Sequence, residues 1–266
     1  MMRRRGWLKR LLASLLGTVL AAAGLVAGGT GTAAAVVGGT DAPAGAYPYQ
    51  VELWKRTSTG DWHPSCGGSI IGDRWILTAA HCAEATTADR MIVTVGSNTL
   101  DPAGTVYRVQ ETIRHQDYNG NAAGNPNDIG LLKLTTPIAY TPLVQPIALP
   151  DPPQFPSGTA TLTGWGKTSG NGQASNTLRQ ATVTVLTVAE CQARWYGQNI
   201  NANHVCTYDK GTGQSACEGD SGGPLAQNGR VIGIVSWGHS VCSGLYPSVY
   251  TNVAGYRTWI TTKTGI

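Results

Sequence analysis

Short runs of β-branched and apolar residues recur along the chain, and residues that form turns separate them. The runs are four to seven residues long, with Gly, Asn, Asp and Pro between them. This pattern is typical of strands in an antiparallel β-barrel or β-sandwich, and it restricts the chain to an all-β fold. The clearest runs are 50–54, 75–78, 91–95, 129–134, 160–163, 181–187 and 231–237.

Two further segments organise this β-rich chain. A proline-rich stretch at 136–156 lies near the middle and predicts a link between two halves. At the C-terminus, Val253, Tyr256, Trp259 and Ile260 recur at helical spacing with polar residues between them. That spacing predicts a single amphipathic helix whose aromatic side packs on the β-structure.

Residues 1–35 have the composition of an export signal. They begin with a basic stretch, continue with an apolar stretch, and end in three alanines at 33–35. A cleavable signal is therefore predicted, although a retained membrane anchor is the alternative. Arg4 and Arg5 also resemble the twin-arginine export signal of bacteria. We expect a secreted protein that begins at Val36.

The charge balance changes when this segment is removed. Five of the 19 basic residues lie in it and none of the 15 acidic residues does, which leaves 14 basic against 15 acidic residues. The mature chain has no basic surplus, so we expect no nucleic-acid partner and no membrane partner after signal removal. Residues 36–266 suffice for one large all-β domain or two small ones.

The chain contains six cysteines, all after the predicted signal. In an exported protein this number predicts three disulfides, and counting alone allows about 15 pairings. No two cysteines have the C-x-x-C spacing of a metal site, so we expect no metal.

Three separate segments carry residues suited to nucleophilic catalysis. His81 follows a predicted strand, Asp128 opens another, and Ser221 lies in a glycine-rich turn. Each residue alone has an ordinary structural explanation. Together they supply a hydroxyl nucleophile, a base that works near neutral pH, and a carboxylate that orients the base.

Six motifs occur in an order that resembles the chymotrypsin/trypsin family of serine peptidases, over essentially all of residues 36–266. They are VVGGT at 36–40, LTAAHC at 77–82, DIGLLKL at 128–134, GWG at 164–166, GDSGGP at 219–224 and SWG at 236–238. The resemblance implies two antiparallel six-stranded β-barrels, an active site in the cleft between them, and a C-terminal helix. It also implies a triad of His81, Asp128 and Ser221 and no cofactor.

The resemblance assigns roles to further residues. The backbone N–H groups of Gly219 and Ser221 would form the oxyanion hole. The free amino group of Val36 would form an activating ion pair with Asp220, because a buried carboxylate needs a partner. The six cysteines would pair as Cys66–Cys82, Cys191–Cys206 and Cys217–Cys242.

The family motifs also place a specificity pocket. Its floor would be Ser215, a neutral residue that leaves a buried guanidinium unpaired. Its other residues would be Gly238 and Ser248 in the walls, Ser236 and Trp237 beside an extended substrate, and Glu218 at the mouth. We expect cleavage after large apolar P1 residues. Medium P1 residues are the first alternative, and cleavage after Arg or Lys through Asp209 is the second.

The resemblance leaves activation and catalytic competence open. The nearest basic residue before Val36 is Arg10, so signal removal after Ala35 would itself create the active N-terminus. The alternative is a short propeptide that another protease trims. We expect a monomer that acts on proteins or peptides and binds proteinaceous inhibitors. An inactive binding homologue or an esterase remains the alternative.

Overall fold

The computed structural model describes residues 36–100, 104–152 and 155–266. The predicted signal peptide, residues 1–35, lies outside the described residues. Within the described ranges, none of the helices is long and apolar enough to cross a membrane.

The first half of the described chain forms a closed antiparallel barrel of six strands. The strands are β2 (Gln50–Arg56), β3 (Trp62–Gly72), β4 (Trp75–Thr78), β5 (Met91–Val95), β6 (Thr105–Arg114) and β7 (Gly130–Leu134). They pair in the order β2-β3-β4-β7-β6-β5, and β5 returns to β2. Alternation along β6 turns Tyr107 and Val109 inward, where they join the buried core of this barrel.

The second half forms another six-stranded antiparallel barrel. Its strands are β8 (Gly158–Gly164), β9 (Arg179–Leu186), β10 (His204–Thr207), β11 (Pro224–Gln227), β12 (Arg230–Trp237) and β13 (Ser248–Asn252). The order is β9-β10-β13-β12-β11-β8, and β8 closes on β9. The short strand β1 (Thr40–Asp41) extends the sheet beside β9. Period-two alternation in β9 buries Ala181, Val183 and Val185. The predicted two-barrel fold is confirmed.

The connection between the barrels, residues 136–152 and 155–157, contains no named strand within the described part. It nevertheless packs four apolar side chains into the core of the first barrel, namely Ile138, Val144, Ile147 and Leu149. The predicted linker is therefore partly built into one barrel.

Helical structure is limited among the described residues. Val253–Tyr256 form a 3₁₀ turn that continues into α2 (Arg257–Thr264), so the predicted C-terminal helix is two joined pieces. Val253, Tyr256 and Ile260 are buried against the first barrel and Trp259 packs beside them. A second helix, α1 (Val188–Arg194), was not predicted, although Thr187 and Glu190 form a capping box at its start.

The structure joins the cysteines in the three pairs that the resemblance implies: Cys66–Cys82, Cys191–Cys206 and Cys217–Cys242. The first ties β3 to the turn that carries His81. The last ties the segment before Ser221 to the loop that precedes β13. Two of the three bridges therefore fix backbone next to predicted site residues.

Candidate active site

His81 lies in a one-turn 3₁₀ helix, His81–Ala83, which follows β4. Its backbone N–H donates to Oδ1 of Asp128 over 2.9 Å. Its ring Nδ1 lies 2.8 Å from Oδ2 of the same carboxylate. Two contacts to one carboxylate fix both the position and the plane of the imidazole, and they leave Nε2 facing away from Asp128.

Asp128 is fully buried immediately before β7. Besides the two contacts from His81, Oδ2 accepts hydrogen bonds from Ser236 Oγ at 2.6 Å and Asn125 Nδ2 at 2.9 Å. The hydroxyl of Thr251 donates to its backbone carbonyl at 2.7 Å. Four donors on one carboxylate replace the water that burial removes, so a charged group is tolerated here.

Ser221 lies in a turn whose backbone requires glycine. Gly219 and Gly222 have φ values of +97° and +76°, which ordinary side chains rarely adopt. A Cβ at Gly222 would lie 2.3 Å from Thr78 Oγ1 and 3.0 Å from Cys82 Sγ. The turn therefore packs directly against the segment of the first barrel that carries His81.

The Ser221 turn is also bonded to the first barrel, since Gly67 N–H donates to the Ser221 carbonyl over 2.7 Å. Within the described ranges no hydrogen bond joins the Ser221 hydroxyl to His81, whose Nε2 lies 3.6 Å from Cys82 Sγ. The structure thus pairs His81 with Asp128 and brings Ser221 to the same cleft. Catalytic hydrogen bonds are often long without substrate and shorten when it binds.

Two backbone donors at this turn are unused. Among the described residues, neither the Gly219 N–H nor the Ser221 N–H has a protein acceptor. Free N–H groups on both sides of Asp220 are the arrangement that binds a developing oxyanion.

Asp220 is the second fully buried carboxylate of the site. Gly166 N–H donates to Oδ1 at 2.8 Å and Cys217 N–H donates to Oδ2 at 2.9 Å. Burial raises the pKa of Asp220 to about 7, and the two hydrogen bonds only partly oppose that rise. In the described structure no cationic group pairs with this carboxylate.

Val36, the predicted partner of Asp220, is buried in the core of the second barrel. The next residue, Val37, exchanges two backbone hydrogen bonds with Ser215, at 3.0 and 3.2 Å. The N-terminal segment is therefore docked beside the stretch that leads to Ser221. In a chain that still carries residues 1–35 the Val36 nitrogen is a peptide nitrogen, so the ion pair, which needs a free amino group, stays a prediction.

A cavity of about 280 Å³ opens beside Ser221. Predicted residues in its lining are Glu218, Ser221, Ser236, Trp237 and Gly238. The other lining residues are Ala216, Cys217, Val235, His239, Ser240 and Cys242.

Two predicted pocket residues, Ser215 and Ser248, do not line this cavity but lie buried behind it. Ser248 Oγ accepts a hydrogen bond from the N–H of the lining residue Ala216 over 3.0 Å. The Ser215 hydroxyl is buried without a partner among the described residues.

Three contacts in and around the cavity were not predicted from the sequence. Glu218 pairs with Lys167, which reduces the charge at the mouth. Trp237 contacts Trp195 edge-on, with ring centroids 4.8 Å apart. Asp209 is bonded to the N–H and hydroxyl of Thr184 on β9, at 2.6 and 3.1 Å, and is not among the lining residues.

Among the described residues, Asn125 is the one donor to the Asp128 carboxylate that was not predicted from the sequence. It stands three residues before Asp128 in a Gly-Asn-Pro turn. That signal predicts a turn but not the direction of the side chain.

Two six-stranded barrels, with a histidine–aspartate pair on one and a glycine-flanked serine on the other, define a chymotrypsin-like serine endopeptidase. The chain belongs to the trypsin family, whose model matches residues 36–260.

Curated relatives agree with this assignment. The chain is 41% identical over 226 residues to Chymotrypsin-2 of Vespa crabro, which covers 85% of this chain and 98% of the relative. It is 37% identical to the Chymotrypsin-like serine proteinase of Haliotis rufescens, over 86% of this chain and 91% of the relative. It is 36% identical to the Trypsin of Phaedon cochleariae, over 87% and 89%. These relatives come from insects and a mollusc, so they give no support to the bacterial origin that the export signal suggests.

Proposed function

We propose that this serine endopeptidase is secreted and cleaves proteins through a triad of Ser221, His81 and Asp128, after large apolar P1 residues. The observation that supports the triad most directly is the pair of contacts that His81 makes to the buried Asp128. The contact through Nδ1 leaves Nε2 free to serve as a base toward the cleft of Ser221.

The chemistry proceeds in two acyl-transfer steps. His81 Nε2 removes the proton of the Ser221 hydroxyl as Oγ attacks the scissile carbonyl, and it then gives that proton to the leaving amine. Water enters, loses a proton to His81, and releases the acyl group from Ser221 by the reverse sequence. Asp128 keeps the imidazole in one tautomer and stabilises its cation in both steps.

The tetrahedral intermediates of both steps carry negative charge on the former carbonyl oxygen. The unused N–H groups of Gly219 and Ser221 are the donors that would receive it. Each such donor contributes about 3–4 kcal/mol of transition-state stabilisation.

The cavity supports an apolar P1 residue. An apolar cavity of about 150 Å³ accepts benzene, so about 280 Å³ has room for an aromatic side chain. No acidic group other than Glu218 is among its lining residues, and Lys167 already pairs with Glu218. Medium P1 residues remain the second candidate.

Activation is proposed to occur at Val36. Removal of residues 1–35 would convert the Val36 nitrogen into an ammonium, and the docked segment at Val37 lies beside the approach to Asp220. The resulting ion pair would complete a carboxylate that has only two backbone donors. Export and activation would then be one event.

Covalent labelling tests the triad. A serine-directed phosphonylating inhibitor should modify Ser221 in processed protein. The Ser221→Ala variant should keep its thermal unfolding midpoint but lose turnover by about a million-fold. Absence of labelling in correctly processed protein would instead favour an inactive binding homologue, and faster ester than peptide cleavage would favour an esterase.

Cleavage-site profiling on a mixed peptide library tests the pocket. We expect most cuts after Phe, Tyr or Leu. Dominant cuts after Ala or Val would favour the medium-sized slot, and dominant cuts after Arg or Lys would refute the proposed pocket.

N-terminal sequencing of the secreted protein tests activation. The one-step proposal expects active protein that begins at Val36, with no inactive intermediate. A stable inactive form with residues before Val36 would show that a second protease trims a propeptide.

A further inference from the structure

Asn125 lies in the loop between β6 and β7, where that loop contacts the second barrel. Its Nδ2 is 2.9 Å from Asp128 Oδ2 and 3.2 Å from Ser236 Oγ. Ser236 in turn donates to the same Oδ2 over 2.6 Å. The three groups form a closed triangle of hydrogen bonds across the interface of the barrels.

We propose that Asn125 is a positioning residue for the catalytic carboxylate, which it holds in place and partly neutralises by donating to Asp128 while also donating to Ser236. The inference rests on the proposed roles of Asp128 and His81. The triad mechanism assigns no role to Asn125, so the inference adds a residue to the site.

The backbone before Asn125 is fixed by the second barrel. The Gly124 N–H donates to Gln198 Oε1 at 3.0 Å, and its carbonyl accepts from His204 Nε2 at 2.8 Å and Trp237 Nε1 at 3.1 Å. A Cβ at Gly124 would lie 2.9 Å from the Asn199 carbonyl oxygen. These contacts use both polar groups of the Gly124 peptide units, so the start of the turn is held rigidly.

The backbone conformation of Asn125 then sets the direction of its side-chain amide. Its φ of +48° lies in the left-handed region, which asparagine adopts more readily than most residues. The amide must present nitrogen to Asp128, since the reversed orientation would bring its oxygen against a carboxylate oxygen. A rigid turn therefore directs a donor with two hydrogens at two acceptors, Asp128 and Ser236.

The chemical consequence concerns His81. A donor on the Asp128 carboxylate withdraws negative charge from Oδ2, the oxygen that faces His81 Nδ1. Less charge there stabilises the imidazolium less, so the donor favours the neutral form of His81, which is the form that acts as the base. Removing the donor should move the acid limb of kcat/KM to higher pH.

We expect the other titratable groups near this triangle not to determine the acid limb of kcat/KM. Tyr118 and Tyr256 lie close to Asp128, and burial raises the pKa of each to about 12. The ion pair of Glu84 and Arg114 lies beyond Tyr118. His204 contacts Gly124, and burial lowers its pKa. A change in the acid limb that Asn125→Gly shows and the control does not therefore reports on the pair of His81 and Asp128.

Two substitutions in the processed enzyme test the inference. Asn125→Gly removes the amide but keeps a residue that accepts positive φ, and Asn125→Asp keeps the shape but replaces the donor with a second carboxylate. Asn127→Gly is the matched control: Asn127 has φ +59° and lies in the same loop, but its amide bonds to Asp117 and Tyr256 and not to the carboxylate of Asp128. Each variant is assayed for kcat, KM and the pH profile of kcat/KM.

We expect Asn125→Gly to lower kcat about tenfold with KM changed less than about twofold, a size ordinary for a hydrogen bond to a charged group. Its acid limb should move up by about half a pH unit. Asn125→Asp should lose about 100-fold at neutral pH, because two adjacent carboxylates cannot both ionise freely. Asn127→Gly should leave the acid limb in place, even if it lowers the unfolding midpoint.

Two results would overturn the inference. One is an Asn125→Gly enzyme whose kcat and acid limb match the wild type. The other is an Asn127→Gly enzyme with the same shift as Asn125→Gly, which would indicate general loosening of the loop. Either result leaves the proposed triad intact as long as the inhibitor still labels Ser221. If Asn125→Asp does not fold, Asn125→Gly and its control decide the question.

Discussion

Two buried aspartates serve the site, and the structure treats them differently. Both Asp128 and Asp220 are fully excluded from solvent. Asp128 accepts from four donors, three of which are side chains or a ring of the site itself. Asp220 accepts only two backbone N–H groups, and burial raises its pKa to about 7. The Asp128 carboxylate therefore has a full set of hydrogen-bond partners, whereas the Asp220 carboxylate does not. We call Asp128 the complete carboxylate and Asp220 the incomplete carboxylate.

This difference between the partners of Asp128 and Asp220 indicates which of the two residues could regulate the enzyme. The partners of Asp128 lie within the folded chain, so its geometry does not depend on processing. Asp220 lacks a cation among the described residues, and the predicted partner is a group that exists only after cleavage. We propose that the first carboxylate orients the base, and that the second forms its ion pair only when the N-terminus is free.

Replacing the complete carboxylate gives the largest expected effect. Asp128→Asn keeps the shape but alters the hydrogen bonding to His81 Nδ1, which favours the wrong tautomer, so kcat should fall about 10⁴-fold. Steady-state kinetics at pH 8, with the concentration of folded enzyme measured by absorbance and circular dichroism, measures this. A loss below tenfold would show that the contact between Asp128 and His81 does not support catalysis.

The incomplete carboxylate, Asp220, should make the free energy of unfolding depend on pH. In a chain that retains residues before Val36, the folded state holds a proton on Asp220 up to about pH 7, whereas the unfolded state releases it near its usual pKa of 3.8. The folded state binds more protons between these values, so the stabilising contribution of the protonated Asp220 is fully present below about pH 4 and is lost as pH rises through about 7. The loss is on the order of a few kcal/mol.

Thermal unfolding of the Ser221→Ala protein checks this, with and without the N-terminal extension, from pH 4 to 8. The extended form should become less stable over that range. The form that begins at Val36 should not show this loss, because its ammonium stabilises the ionised Asp220. Parallel curves for the two forms would contradict the proposed pairing.

The sequence alone predicts the candidate catalytic residues of this site better than it predicts the residues that position them. The candidates His81, Asp128 and Ser221 could be identified because six motifs occur together in the order of one family, although each residue alone has an ordinary structural explanation. The strands of the barrels are predictable where alternation is clean, as in β9. These features depend on neighbours within a few residues.

Asn125 and the depth of the pocket depend on distant neighbours instead. The direction of the Asn125 side chain follows from Gly124, whose partners Gln198 and His204 lie 74 and 80 residues away along the chain. The position of Ser248 behind the cavity follows from its contact with Ala216, 32 residues away. No local pattern encodes contacts of this kind. Helix α1 differs, since its capping box was visible in the sequence.

Replacing the incomplete carboxylate should reduce activity by a smaller factor than replacing the complete one. Asp220→Asn removes the charge that would bind the Val36 ammonium and sets an amide N–H₂ against one of two backbone donors. The Gly219 N–H then loses its fixed direction, and kcat/KM should fall about 100-fold, the size expected for one oxyanion donor. In the extended Ser221→Ala protein, the same substitution should also abolish the fall in stability between pH 4 and 7. Retention of full activity by the processed Asp220→Asn enzyme would separate Asp220 from activation.

The smallest expected effect comes from removing a single donor of Asp128. Ser236→Ala deletes the 2.6 Å hydrogen bond to Oδ2 but leaves His81 and Asn125 in place. Because three donors remain on the carboxylate, kcat should fall only several-fold. The double variant with Asn125→Gly should lose more than the product of the two single losses, since each donor compensates for the other. Simple multiplication of the losses, measured as kcat in a double-mutant cycle, would mean that Ser236 and Asn125 act independently on Asp128.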